Sequence, residues 1–141
     1  YFEESLAREF DTASKHGWPL SVVFVDLDKF KQVNDSFGHQ AGDAVLQTVS
    51  QLLRDTLRDS DIVARFGGDE FVLLLPGVDA GKADAVGVRV CITLSLGIAT
   101  CDSHNKFDSP KALLAAADSA LYHSKRNGRD RYTCYDSIQA A

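Results

Sequence analysis

The sequence predicts an α+β domain: a mostly antiparallel central sheet flanked by helices. Three observations lead there. Apolar residues recur with helical spacing near both ends of the chain, short β-branched and aromatic runs lie between those stretches, and two of the runs flank Gly67-Gly68. Strands joined by so short a connection must run antiparallel, which excludes a purely parallel sheet. With 141 residues, 45% of them apolar, the chain fits one domain, 1–141, with one core, so its site residues should converge on one sheet and its loops.

In the opening stretch Leu6, Phe10 and Ala13 stand at spacings of three and four, and Gly17-Trp18-Pro19 ends the helix they predict. Val22-Val23-Phe24-Val25 is apolar on both faces and stops at Asp26-Leu27-Asp28, the pattern of a central strand with carboxylates at its exit. After a polar, glycine-containing segment at 34–42, Val45, Val49, Leu52, Leu53 and Leu57 predict a second helix ending near Arg58. Ile62-Val63-Ala64-Arg65-Phe66 and Phe71-Val72-Leu73-Leu74-Leu75 read as a hairpin, with the glycine pair supplying positive φ angles at the turn. A helix begins between Asp79 and Val86, yet the chain passes at once into a strand-rich stretch over 88–98. A last helix over 112–125 follows Pro110 and closes at Asn127-Gly128, and residues 132–135 predict a terminal edge strand.

Composition narrows the function. A net charge of -5 disfavours a binder of nucleic-acid polymers, so any phosphate must be held locally. Cys91, Cys101 and Cys134 are odd in number and lack C-x-x-C spacing, which fits reduced thiols in the cytoplasm. No apolar run approaches the roughly 20 residues that span a bilayer, and the start, Tyr1-Phe2-Glu3-Glu4, lacks the regions of a signal peptide. The domain is therefore expected to make no direct membrane contact and to lie in the cytoplasm or on the cytoplasmic face of an anchored parent. No G-x-x-x-x-G-K-S/T occurs, which excludes a P-loop enzyme.

Asp26 at a strand exit and Asp69 and Glu70 beside the hairpin turn meet if their strands are neighbours, and would then offer hard oxygen ligands to Mg²⁺. Taken singly, each acid is more ordinarily a turn or helix cap, and Gly67-Gly68 more ordinarily a plain hairpin turn. Their conjunction is what singles them out, because glycines let a bulky substrate approach backbone that carries acids.

Arg65-Phe66-Gly67-Gly68-Asp69-Glu70-Phe71 resembles the signature of the GGDEF family of diguanylate cyclases. So do Asp26-Leu27-Asp28-Lys29-Phe30-Lys31, Asn34-Asp35, Phe37-Gly38-His39 and Gly42-Asp43, and, near the end, Ala117-Asp118, Ala120-Leu121-Tyr122, Lys125 and Gly128-Arg129. The resemblance implies a polymerase-like palm and condensation of two GTP molecules into cyclic di-GMP by a homodimer, each domain supplying one GTP. It implies two Mg²⁺ ions per site, replaceable by Mn²⁺, with Asp26, the Leu27 carbonyl and Asp69 as ligands, and Asp69 and Glu70 as catalytic groups. Asn34 and Asp43 would read guanine, an apt pair because a carboxylate accepts from N1-H and the exocyclic amine. His39, Gly67 and Gly68 would contact substrate. Lys125 and Arg129 would hold the triphosphate with the backbone of Lys29, Phe30 and Lys31, although cations at a helix end ordinarily just complement its dipole. Arg58-Asp59-Ser60-Asp61 resembles the family's R-x-x-D product-inhibition site, with Arg58 and Asp61 as its members.

The match departs in two places. The chain starts just past the Asp-x-Leu-Thr and Asn-Arg turn that usually opens this domain, which implies a piece of a longer signalling protein. The interval from Val86 to Val88 lacks most of a helix and the start of a hairpin. Rival readings are a catalytically dead domain that binds cyclic di-GMP through Arg58 and Asp61, a signalling scaffold, and a cyclase making a mixed adenine-guanine dinucleotide. The intact signature opposes the first two, and Asp43 opposes the third.

Overall fold

Leu20–Leu27 forms the strand around which the rest is assembled, β1, and every one of its eight residues is buried. The computed structural model describes residues 1–88 and 94–140. Around β1 the chain runs through α1 (Phe2–His16), α2 (Phe30–Phe37), α3 (His39–Thr56), β2 (Ile62–Arg65), β3 (Glu70–Pro76), α4 (Ala80–Val88), β4 (Leu94–Cys101), α5 (Pro110–Arg126), β5 (Arg131–Cys134) and α6 (Tyr135–Gln139). The sheet order is β2-β3-β1-β4-β5. β1 is antiparallel to both β3 and β4, β2 is antiparallel to β3, and β5 alone runs parallel to its neighbour, β4.

Alternation along β1 sends its side chains into two separate cores. Val23, Val25 and Leu27 pack with Leu46, Val49 and Leu53 of α3 and Ala83 of α4. Leu20, Val22 and Phe24 pack with Leu6 and Ala13 of α1 and Leu113, Ala117 and Leu121 of α5. The sheet thus carries helices on both faces, which is why the central strand reads as continuously apolar. At the start of β1, away from Asp26, the exposed Trp18 stacks on His16 with ring centroids 4.7 Å apart. Among the described residues no helix is long and apolar enough to cross a membrane. Cys101 and Cys134 are unpaired thiols, and Cys91 lies outside the described residues.

The structure corrects several expectations. The segment 34–42 is not a polar loop: α2 fills it, and α3 begins at His39 and ends at Thr56. The signal was one residue deep. Phe30 packs on the core, while Gly38, with φ 84°, breaks what would otherwise read as one long polar helix. Val88 closes α4 instead of opening a strand. Of the strand expected over 88–98, residues 89–93 lie outside the described residues, and β4 begins at Leu94. The five-residue α6 follows β5 without having been anticipated, since it is too short to show a period.

α5 lies on β4 at a glycine. A Cβ at Gly97 would run into the backbone of Ala117 and Leu121, so only glycine admits this approach. Gly97→Val should therefore destabilise the domain by about 3 kcal/mol or prevent folding. A urea midpoint indistinguishable from the parent's would show that the helix can shift away at no cost.

Candidate active site

Three strands bring the acids together. Asp26, near the end of β1, faces Glu70 of β3 on one side and Ser95 of β4 on the other. The Leu27 amide donates to the Asp69 carbonyl at 3.2 Å, locking the strand exit to the glycine turn. The turn is held from within by the Phe66 and Gly67 amides, which donate to the Glu70 carbonyl at 2.9 and 3.3 Å. Arg65 adds two further bonds, from Nε to the Gly67 carbonyl at 3.1 Å and from Nη2 to that of Gly68 at 2.7 Å.

Neither Gly67 nor Gly68 takes the positive φ expected of it. The hydrogen bonds to the Glu70 carbonyl and from the Arg65 guanidinium close this turn without left-handed backbone. A Cβ at Gly67 would stand 2.8 Å from Glu70 Oε2, so the flexible end of that side chain would have to swing aside. Around Gly68 a Cβ would meet nothing within 4 Å, leaving that backbone open to a ligand.

Lys125, from the last turn of α5, reaches Asp26 with Nζ 2.8 Å from Oδ2. Burial pushes the Asp26 carboxyl above the usual carboxylate range against the pull of Lys125, and the Asp69 and Asp28 charges add to the rise. Glu70 is raised in the same way, first by burial and then, against Lys125, by Asp26, Asp69 and Asp118. A crowd of carboxylates with an ammonium drawn into it is suited chemically to a hard divalent cation. Among the described residues, however, no three acid, histidine or cysteine side chains already converge in ligating geometry. Lys125 is the cation that offsets part of this negative charge.

The other expected residues fall into three groups around this centre. On the α2–α3 corner, Asn34 lies against Gly42, where any Cβ would collide with its side chain, and Phe30 Cζ would be 3.1 Å away. Asp43 follows Gly42 and lines an open cavity of about 380 Å³ with Gln47, Ser50, Arg54 and Arg65. His39 is exposed at the start of α3. The Phe30 ring belongs to the core, so only its main chain is available to a substrate.

At the exit of β1, Lys29 adopts φ 60° as the N-cap of α2, with Lys31 exposed on the first turn. Facing it is the α5–β5 loop, in which Gly128, Arg129 and Asp130 have φ 108°, 60° and 45°. A left-handed non-glycine residue costs on the order of 1 kcal/mol. Asp28 holds this loop, accepting the Asp130 amide at 3.0 Å and the Ser95 hydroxyl at 2.7 Å, with Arg129 Nε at 3.8 Å.

Arg58 and Asp61 form a reciprocal turn ahead of β2: the Arg58 amide donates to Asp61 Oδ2, and the Asp61 amide to the Arg58 carbonyl, both at 3.0 Å. Asp61 also lines an open cavity of about 460 Å³ with Asp59, Arg54 and Arg65. Those two arginines thus border both this cavity and the one beside Asp43.

Comparison with known proteins decides the family. The model of the diguanylate cyclase GGDEF domain matches residues 1–91. The chain belongs to this family. It is 42% identical over 147 residues to the diguanylate cyclase TpbB of Pseudomonas aeruginosa, which covers 92% of this chain and 33% of that protein. It is 39% identical over 141 residues to the diguanylate cyclase DosC of Escherichia coli, covering 88% of this chain and 30% of that one. The chain therefore spans about a third of the length of these relatives. The TpbB match is longer than the 141-residue chain, so the relative carries extra residues inside the matched interval. Among solved structures, the GGDEF domain of Pseudomonas aeruginosa TpbB superposes with a TM-score of 0.87 at 37% identity, covering 94% of this chain and 92% of that one. The GGDEF domain of Caulobacter crescentus DgcB, solved in complex with c-di-GMP, superposes at 0.84 with 29% identity, covering 96% and 88%. The palm-like fold expected of a GGDEF domain is thus the fold observed.

Asp28, Ser95, Arg65 and Arg54 were not assigned roles from the sequence. Asp28 and Arg65 stood inside recognised motifs, but the Asp130 partner of Asp28 lies 102 positions away and leaves no local pattern, and the bonds from Arg65 to the Gly67 and Gly68 carbonyls depend on a turn geometry that the letters do not specify. Ser95 and Arg54 carry no signal until the sheet register and the α3 face are known.

The raised carboxyls have a thermodynamic signature. Glu70 titrates higher in the folded chain than in the unfolded one, so its favourable contribution is complete below the unfolded value and is lost as pH rises through the folded value. Glu70→Gln should accordingly melt above the parent at neutral pH, by on the order of one or two degrees. The gain should vanish below about pH 4, where both states of the parent are protonated. Thermal melts across pH check this, and a variant less stable than the parent at pH 7 would contradict it.

Proposed function

We propose that this domain condenses two GTP molecules into cyclic di-GMP and two pyrophosphates, and that it is a cytoplasmic part of a longer signalling protein. The observation that carries the reading is the meeting of Asp26, Asp69 and Glu70 at paired strand ends beside an open glycine turn, with Lys125 within reach. Attack of a ribose 3′-hydroxyl on an α-phosphate needs a deprotonated nucleophile and a neutralised pyrophosphate. Two Mg²⁺ ions, or Mn²⁺, held by Asp26, the Leu27 carbonyl and Asp69, supply both effects when bound.

The chain's own groups bind and orient. Asn34 and Asp43 take the guanine edge, with His39 nearby. Gly67 and Gly68 let the nucleotide approach the backbone, and the main chain of Lys29, Phe30 and Lys31 meets the phosphates. Lys125 gives up Asp26 for a phosphate oxygen, beside Arg129, and Glu70 lies next to the reacting groups. One set of guanine-reading residues positions one nucleotide, so two domains must face each other in a homodimer.

Mass spectrometry of products from GTP and Mg²⁺, at several protein concentrations, tests the reading. The parent should yield cyclic di-GMP with specific activity rising with concentration, and Asp69→Asn should lose at least about a hundredfold of it while remaining folded. Near-normal synthesis by that variant would remove Asp69 from the chemistry.

Arg58 and Asp61 are proposed to bind the product, since a guanidinium stacks on guanine and a carboxylate accepts from its N-H groups. Bound there, just ahead of β2, it would restrain the strand that leads to Gly67. Arg58→Ala should raise the cyclic di-GMP level at which synthesis stalls by about tenfold. Progress curves that stall at the parent's level would reduce Arg58 to a surface charge.

A further inference from the structure

Among the described residues, the non-glycine positions with positive φ are Lys29, Arg129 and Asp130, and all three adjoin one side chain. Lys29 follows Asp28 in sequence. The Asp130 amide donates to Asp28 Oδ2 at 3.0 Å, and Arg129 Nε lies 3.8 Å from Oδ1. Ser95, itself fully buried, donates its hydroxyl to the same Oδ1 at 2.7 Å. The Asp28 side chain is only 3% exposed, whereas that of Arg129 is 56% exposed. A buried carboxylate thus pairs with an arginine whose side chain is more than half exposed, and it binds together two loops 102 positions apart.

We infer that Asp28 is a positioning residue for the nucleotide's triphosphate: it fixes the left-handed backbone of the 128–130 loop and aims the Arg129 guanidinium across the exit of β1. This rests on the reading of Arg129 and the Lys29 main chain as phosphate contacts. Unfavourable backbone at consecutive non-glycine residues persists only where surrounding contacts over-determine it. Here the Arg129 amide donates to the Ser124 carbonyl and Arg131 Nε to the Arg129 carbonyl, both at 3.1 Å and local to the loop, while the contacts that tie the loop to the exit of β1 converge on one carboxylate. Ionised, it accepts from two donors and pairs with a cation, a combination that an amide of the same shape cannot reproduce. With Asn at this position an N–H₂ group would face the Asp130 amide or the Ser95 hydroxyl, and the loop would relax.

The test separates phosphate positioning from general damage by comparing two nucleotides that cannot react. 3′-Deoxy-GTP keeps the triphosphate and lacks the attacking hydroxyl, while GMP keeps the base and lacks a pyrophosphate. By calorimetry, Asp28→Asn should weaken 3′-deoxy-GTP about tenfold and GMP less than about twofold. Asp130→Gly placed in the Asp28→Asn background should recover much of the lost affinity, because glycine takes φ near 45° without strain, and Asp130→Ala should recover none. Ser95→Ala, which removes one of the three contacts, should show the same selectivity more weakly and serves if Asp28→Asn does not fold. Equal weakening of both nucleotides, or an unchanged affinity for 3′-deoxy-GTP, overturns the inference while leaving the proposed reaction standing. A parent that binds neither nucleotide and forms no cyclic di-GMP overturns the reaction, and the inference with it.

Discussion

The antiparallel register between β1 and β3 is the constraint on which the site depends. It places Asp26 opposite Glu70 and lets the Leu27 amide meet the Asp69 carbonyl, so two acids from the hairpin and one from the central strand share a corner. Side chains alternate along a strand, and a slip of one residue would send Asp26 to the other face of the sheet. Parity also sorts the partners. Asp26 and Asp28 lie on the face covered by α5, whose end delivers Lys125 and Arg129, while Leu27 turns into the core beneath α3. Both faces of β1 are apolar further back, with Leu20, Val22 and Phe24 on the α5 side, and only at the strand's exit does that side turn to charge.

Much of this was legible in the sequence, and what was not has a common cause. β1, the hairpin strands and α5 announced themselves by apolar runs, periodicity and terminators such as Pro110 and Gly128. The acids at strand exits were legible because strand ends and glycine turns are short-range features. α2 escaped notice because none of its residues is fully buried: Phe30 packs only partly against the core, and most of the helix faces solvent. The positive φ expected at Gly67 and Gly68 was a local rule overridden by hydrogen bonds from Arg65 and to Glu70, which only the folded hairpin provides. Asp28 was visible as a letter in a motif, yet its role needs Ser95 and Asp130, which no window of sequence places beside it.

The molecule also divides its unusual backbone in a telling way. Glycines carry the positive φ at the corners remote from the acids, Gly17 and Gly77, where the chain merely turns, whereas Gly128 shares it with the two residues after it in the loop that Asp28 holds. Residues with side chains carry it around Asp28, where Lys29 and Arg129 supply charge as well as conformation. Glycine at those positions would relieve the backbone strain but would carry no charge. Burial likewise disfavours ionisation of the Asp26 and Glu70 carboxyls in the same corner, against the pull of Lys125.

Trp18, the single tryptophan of the chain, stands at the opposite end of β1 from these acids, stacked on His16. Six residues of extended strand separate Leu20 from Asp26, a distance of about 20 Å. The intrinsic fluorophore of this domain is consequently a gauge of the far rim of the sheet and of the end of α1. Ultraviolet emission will follow unfolding and whatever alters the imidazole beneath the indole, but will be nearly silent to a nucleotide arriving at the glycine turn, where an extrinsic dye would have to be the reporter.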